Sequence, residues 1–298
     1  MEIQSLKNEN PEVFRKIWKI VFGDSDKWLD MYMKEYMDDE KAFVLKDEGA
    51  MQSILSYYEH RALLCADGMC YEKAPCFYAG STLPGRRKRG YFTAIMEYVT
   101  EKIKEAGYEN VSIFPAEEWL FDYYRERFDF KDFYYVNEIN ADSGDLMAWE
   151  YGMKEGRDLS LNVISASKYN SVREKILKGK SHLAFTDKQM KMQKETAMLS
   201  HGNLYEIKGM DEKSLCCIER LSSSKVKVTE ILTGVADFKD AIALIRKNFH
   251  GAFYRISYPD FICVDTQNVS VARKCVGQIR NLTGGGLPES AYAGFMFD

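Results

Sequence analysis

Between Cys76 and Gly107 the sequence leaves the chain one local arrangement. Residues 76–83 (CFYAGSTL) read as a buried strand, which Pro84-Gly85 ends. Four cations follow, Arg86-Arg87-Lys88-Arg89, and then Gly90. From there the apolar period changes from two to 3.6, with Phe92, Ile95, Met96, Val99 and Ile103 on one face of a helix from about Gly90 to Ala106. Gly107 stops it, and residues 110–114 (NVSIF) make a short buried strand. A strand, a cationic turn, an amphipathic helix and a second strand form a βαβ crossover, and the helix must cover a sheet.

The flanking segments say which kind of sheet. Val13, Phe14, Ile17, Trp18 and Val21 mark a first helix, started by Asn10-Pro11 and stopped by Gly23. Asp24 or Ser25 caps a second, whose face is Trp28, Leu29, Tyr32, Met33 and Tyr36. Residues 41–46 and 51–60 then read as strands around the turn Asp47-Glu48-Gly49, and Asp67-Gly68 as a hairpin turn between 61–65 and 69–73. After the crossover come a helix at 116–128 and a strand at 130–139. An antiparallel meander joined to one crossover predicts an α/β (α+β) fold with a mixed, mainly antiparallel sheet flanked by helices. The 298 residues suit about two domains of roughly 150 residues. A composition shift at Ala141-Asp142-Ser143-Gly144 divides them into 1–142 and 143–298. The second half repeats the order, with strands at 182–186, 203–207, 214–219, 225–232 and 252–257 and helices at 167–178 and 237–249.

The turn before the long helix carries the chemistry. A helix start leaves main-chain N–H groups without carbonyl partners, beside the positive end of the helix dipole, which is a ready site for a diphosphate. Arg87, Lys88 and Arg89 add charge, and Gly90 keeps a side chain out of the way. The stretch resembles the acetyl-CoA pyrophosphate signature R/Q-x-x-G-x-G/A of the GNAT acetyltransferases, matched by Arg87-x-x-Gly90, with Phe92 where the second small residue usually stands. Within that superfamily it is similar to the enhanced-intracellular-survival type, and segment 1–140 follows the GNAT order of elements. The resemblance implies acetyl-CoA as co-substrate, held through Gly80, Ser81, Arg87, Lys88, Arg89, Gly90, Tyr91 and Phe92. It implies an N-acetyltransferase that moves an acetyl group by direct attack of an amine on a small molecule or peptide.

Residues 117–130 (EEWLFDYYRERFDF) resemble the GNAT helix that ends in Tyr-x-x-x-Gly-Phe and lies against the pantetheine arm. Tyr124, with Tyr123 in reserve, takes the family's role of protonating the leaving thiolate; Asp129 replaces the glycine, and one extra residue follows the tyrosine. The base is open among Glu59, His60, Glu117, Glu118 and the chain-end carboxylate of Asp298. The last is the group relatives of the survival type are thought to use, and 291–298 (AYAGFMFD) reads as a strand that buries it.

Other classes are weighed against this reading. A formal charge of −4 argues against a general nucleic-acid binder, although the 86–89 cluster alone would suit one. Seven cysteines and four histidines show no metal-ligand spacing, so no metal is expected and the thiols read as reduced packing groups. Without a basic-then-apolar leader or a run of about 20 apolar residues, the expectation is a cytoplasmic protein with no membrane partner. A homo-oligomer is compatible with the sequence. The second half offers Leu232-Thr233-Gly234-Val235-Ala236-Asp237 where a phosphate loop would lie, with no arginine cluster. It reads as a degenerate second GNAT-like domain, the alternative being a sterol-carrier-like one. The functional alternative is a non-catalytic acyl-CoA-binding sensor.

Overall fold

The computed structural model describes residues 1–60, 62–64, 70–71, 74–153, 156–266 and 269–295. Two compact units result. The first comprises Met1–Ala62, Tyr71–Asp132 and Gly277–Leu287, the second Leu63–Cys70, Phe133–Val276 and Pro288–Asp298.

The first unit opens with β1 (Glu2–Ser5), α1 (Pro11–Phe22) and α2 (Asp26–Glu35). The side chain of Asn10 accepts from the Glu12 amide, Pro11 occupies the first turn, and Gly23 closes α1 at φ 75°. Ser25, rather than Asp24, caps α2; Asp24 instead accepts from the Trp18 indole at 2.7 Å. The strands β2 (Ala42–Asp47) and β3 (Ala50–His60) form a hairpin. Both turn residues have positive φ, 51° at Glu48 and 75° at Gly49, which matches the twist of paired strands. The expected turn at Asp67-Gly68 lies outside the described residues, between β4 (Ala62–Leu64) and β5 (Cys70–Tyr71). Then come β6 (Ala74–Thr82), α3 (Tyr91–Glu105), β7 (Asn110–Ile113) and α4 (Glu118–Phe128). The sheet order is β1-β2-β3-β6-β7, antiparallel except for the parallel pair β6–β7 that the crossover predicts. Residues 278–281 add an antiparallel edge to β7. Ile95, Met96, Val99 and Ile103 of α3 pack with Leu55, Phe77, Val111, Tyr124, Phe128 and Phe130 as the core.

The second unit contains β8 (Lys131–Asp142) from Phe133 onward, α5 (Ser143–Tyr151), β9 (Ser160–Val163), α6 (Ala166–Ile176), β10 (His182–Ala184), α7 (Asp187–Leu199), β11 (Asn203–Lys208), β12 (Ser214–Arg220), β13 (Lys225–Leu232), α8 (Phe238–Asn248), β14 (Phe253–Pro259) and β15 (Val271–Asn281) as far as Val276. Its sheet runs β8-β14-β13-β12-β11-β9, and only β13–β14 is parallel. One parallel crossover after an antiparallel run thus occurs in both units. The core centres on α8, whose Phe238, Ala241, Ile242 and Ile245 are buried against Val226, Val228, Ile231 and Ile256. The stretch 141–144 is not a loop. The β8 strand continues to Asp142, whose side chain and that of Asp145 cap the start of α5 reciprocally.

Candidate functional site

The site begins where β6 leaves its neighbour. β6 pairs with β7 at Cys76↔Ser112 and Phe77↔Ile113, yet β6 runs on to Thr82. Among the described residues the β6–β7 register ends at Phe77, and from Ala79 to Thr82 β6 runs on past it. On the other edge β3 holds it firmly. Ser56 Oγ donates to the Tyr78 carbonyl at 2.9 Å and Ser53 Oγ to the Ser81 carbonyl at 2.6 Å. The register shifts between these points, so Leu55 faces both Ala79 and Gly80 in a β-bulge. Ala79 is left-handed, φ 54°, a strained conformation for alanine.

A 3₁₀ turn (Pro84–Arg86) leads from the strand to α3, with the Arg86 amide donating to the Leu83 carbonyl at 2.8 Å. Lys88 and Gly90 are left-handed, φ 64° and 82°, and residues 84–90 are exposed. Nothing lies within 4 Å of the point where a Cβ on Gly90 would be, so glycine is needed there for its backbone angle. The main-chain N–H groups from Lys88 to Thr93 have no acceptor among the described residues. Six outward amides at a helix start, beside three exposed cations, make an anion cradle. Arg87 is partly committed, since its Nε lies 3.4 Å from the Thr82 carbonyl.

The predicted cofactor residues divide by what each can offer. Lys88, Arg89 and Gly90 present amides to solvent. Tyr91 and Phe92 present amides too, but their side chains turn inward. The Tyr91 hydroxyl donates to Asp47 Oδ2 at 2.7 Å, and the Arg89 side chain reaches the same hydroxyl. That hydrogen bond, with smaller help from the Met1 amine and Arg86, holds the Asp47 carboxyl below the usual aspartate value. Asp47 also raises the Tyr91 hydroxyl above the ordinary tyrosine range. The β2–β3 turn therefore braces the cradle, a role sequence reasoning missed because the pairing spans 44 residues. Asp47→Ala and Tyr91→Phe are each expected to weaken CoA binding about two- to tenfold, the worth of one hydrogen bond. Because they remove the same bond, the double variant should lose no more than either single, which calorimetric titration of all three would check.

Gly80 sits in the bulge, and Ser81 beyond it is buried with its Oγ lacking a partner among the described residues. The would-be Cβ of Gly80 lies 3.0 Å from Leu55 Cδ1 and 3.1 Å from Phe92 Cε2, so a side chain there requires Leu55 or the Phe92 ring to give way by a few tenths of an ångström. Phe92 in turn touches the aromatic set of α4, its ring centroid 6.2 Å from Tyr123, 6.3 Å from Tyr124 and 6.2 Å from Phe128. Tyr124 is buried, and its hydroxyl has no hydrogen bond among the described residues. Burial, with a smaller contribution from Tyr123, pushes it far above the usual tyrosine range. A phenol in that state holds its proton at neutral pH, so it can serve as an acid and not as a base. Tyr123 is half-buried, and burial raises its hydroxyl above the ordinary tyrosine value. Asp129, where the resemblance expects glycine, is left-handed at φ 55°, a conformation aspartate tolerates.

The base candidates fare unequally. Glu59 pairs with Lys41 at 3.0 Å and accepts from the Tyr108 hydroxyl. It lies opposite Pro75 and His60 opposite Ala74, five or more residues and roughly 16 Å along β6 from Gly80. Glu117 and Glu118 are exposed at the start of α4, with Glu117 held by the Trp119 indole. Asp298 lies outside the described residues. Over 291–295 the chain makes single parallel bridges, Ala291 to Tyr134 and Tyr292 to His182, instead of the continuous strand expected. Cys76, on β6 itself, is buried, and burial pushes its thiol up to about 12. Burial therefore favours the neutral thiol there.

The matching loop of the second unit is closed from within. Asp237 is buried and accepts from the Asp211 and Glu212 amides at 2.9 and 3.2 Å, while Arg157 donates to it at 2.7 Å. A buried carboxylate paired with Arg157 thus stands in the turn before α8, where the first unit has its cations. Among the described residues there is no group of three or more His, Cys, Asp or Glu able to hold a metal ion. Nor is any helix there long and apolar enough to cross a membrane.

Residues 2–131 match the family model of the acetyltransferase (GNAT) domain. The chain finds no match among curated proteins. Solved structures of similar fold include a conserved protein from Enterococcus faecalis V583 described as a probable N-acyltransferase, at 10% identity and TM-score 0.72 over 95% of this chain and 72% of that one. Eis1 from Mycobacterium abscessus is similar at 13% identity and TM-score 0.66, over 94% and 74%. A tandem GNAT protein from the clavulanic acid biosynthesis pathway aligns at 8% identity and TM-score 0.58, over 96% and 100%.

Proposed function

We propose, from the match of residues 2–131 to the acetyltransferase (GNAT) domain, that the chain is an acyltransferase that moves an acetyl group from acetyl-CoA to an amine of a small molecule or peptide. The observation that carries the coenzyme assignment is the fan of unpaired amides from Lys88 to Thr93, set at the end of a strand that parts from its neighbour after Phe77. The diphosphate is held by those amides and by Arg87, Lys88 and Arg89, and the pantetheine lies beside β6. The Gly80 and Ser81 main chain receives the thioester oxygen, and the amine attacks the carbonyl carbon directly. As the N–C bond forms the C–S bond breaks, the Tyr124 phenol gives its proton to the departing sulfur, and the ammonium proton passes to a base or to water. No covalent enzyme intermediate is formed. A cytoplasmic location belongs to this reading.

The pH behaviour follows from burial. Because the Tyr124 phenol stays protonated to well above pH 10, kcat/KM rises as the acceptor amine loses its proton and has no falling limb below about pH 10. Tyr124→Phe is expected to lower kcat about 10²-fold with little change in KM for acetyl-CoA. Full turnover by that variant at every pH would reduce Tyr124 to a packing residue. A mass-shift screen of amines with acetyl-CoA identifies the acceptor; absence of both binding and acetylation across small amines and peptides would refute the reading.

A further inference from the structure

We propose that the side chain of Phe92 sets the length of acyl group the coenzyme can carry, so that the space beside Gly80 takes acetyl and refuses chains two or more carbons longer. The proposal rests on the coenzyme reading above and adds a specificity-determining residue to it.

Phe92 stands at the second residue of α3, beside the stretch of β6 past its register with β7. The inward faces of its ring are packed. Ring atoms Cε2 and Cζ lie 3.1 and 3.3 Å from where a side chain at residue 80 would begin, so the phenyl lies directly on the Gly80 main chain. Tyr123, Tyr124 and Phe128 pack around the rest of it. Ala79 is left-handed beside Gly80 in the bulge, and glycine at 80 lets the Phe92 ring approach the strand without displacement. The two residues are a matched pair. A ring wedged in this way cannot turn aside without displacing its neighbours.

Chemistry places the acyl group at the same point. Tyr124 can protonate the sulfur only if the sulfur lies on the α3–α4 side of β6, and the acyl carbon is one bond from that sulfur. With the carbonyl oxygen on the Gly80–Ser81 main chain, the carbons beyond it start beside the half-buried Phe92 ring. A methyl group needs little room there, and each further methylene must displace the phenyl. Removal of the ring creates an apolar space lined by Leu55, Tyr123, Tyr124 and Phe128. Each methylene buried in it is worth about fourfold in binding.

The test is calorimetric titration of wild type, Phe92→Ala and Phe92→Leu with CoA, acetyl-CoA, butyryl-CoA and hexanoyl-CoA. Wild type is expected to bind acetyl-CoA at least about tenfold more tightly than butyryl-CoA. In Phe92→Ala that ratio should fall to about one or invert, with Phe92→Leu between. The ratio is internal to each variant, so a general loss of affinity does not obscure it. If Phe92→Ala proves too unstable to titrate, Phe92→Leu, which keeps most of the volume, must still show the shift. An acetyl-to-butyryl ratio unchanged by both substitutions, or a wild type that binds all chain lengths equally, overturns the role of Phe92 and leaves the coenzyme site standing. A wild type that binds no CoA of any kind removes both.

Discussion

Gly90→Asp is expected to abolish measurable CoA binding while the protein remains folded. The position is open, with nothing within 4 Å of a new Cβ, so the added side chain meets no steric obstacle. Its backbone stands at φ 82°, where aspartate costs about 1 kcal/mol relative to glycine, a modest loss for an exposed turn. Its effect on the ligand is far larger. A carboxylate about 4 Å from a phosphate costs on the order of 4 kcal/mol near a protein surface, roughly a thousandfold in affinity. The new carboxylate can also accept from the very amides that the diphosphate needs. Gly90→Ala is the control, since it brings the backbone cost without the charge and should weaken binding by no more than about tenfold. Melting curves and CoA titrations of both variants separate the two effects. A Gly90→Asp protein that binds CoA normally places the coenzyme elsewhere.

Glu230→Ala should cause the largest loss of stability of any single substitution considered. Arg173 and Glu230 are both fully enclosed in the second unit. Arg173 Nε lies 3.1 and 3.2 Å from the two Glu230 oxygens, and the Tyr169 and Tyr292 hydroxyls each donate to that carboxylate at 3.0 Å. The other guanidinium nitrogens bond the carbonyls of Leu183 and Ala293. One ion pair thus ties α6, β10, β13 and the 291–295 segment together. Removal of the Glu230 carboxylate leaves the buried cation with only the peripheral Glu174, 3.2 Å from its Nη1, at a cost of about 3 kcal/mol. For a unit of this size that lowers its melting temperature by on the order of 10 °C. Gly294→Ala should resemble it. Gly294 has φ 74°, and a Cβ there would fall 2.1 Å from Glu230 Oε1. A double replacement of Arg173 and Glu230 by apolar residues of similar volume should recover most of the loss, because the charges then vanish together. If Glu230→Ala melts within a degree or two of wild type, the pair does not hold the tail.

Local signals were legible in the sequence and long-range ones were not. The period change at Tyr91, the caps at Asn10 and Ser25 and the Glu48-Gly49 turn each depend on a few consecutive residues, and each forms where expected. α7 was missed although Thr186 and Gln189 make a reciprocal cap, because its mixed lysine and methionine pattern shows no clear apolar face. β15 was missed because Arg273, Lys274, Gln278 and Arg280 interrupt its alternation, and what makes it a strand is β7, some 170 residues earlier. The site divides the same way. The cradle could be read from Arg87 to Gly90, whereas the brace from Asp47 could not. Phe92 looked like a departure from the family pattern; across the strand, Gly80 supplies the space that the ring takes up. Asp129 replaces a glycine yet keeps its left-handed backbone.

The central claim is that amides at the start of α3 bind the coenzyme's diphosphate. The most direct measurement is an amide-resolved ¹H–¹⁵N NMR titration with CoA. The Lys88–Thr93 resonances should move downfield and saturate together, and inorganic pyrophosphate should move the same set more weakly. CoA that binds while those six amides stay at their free positions would contradict the account.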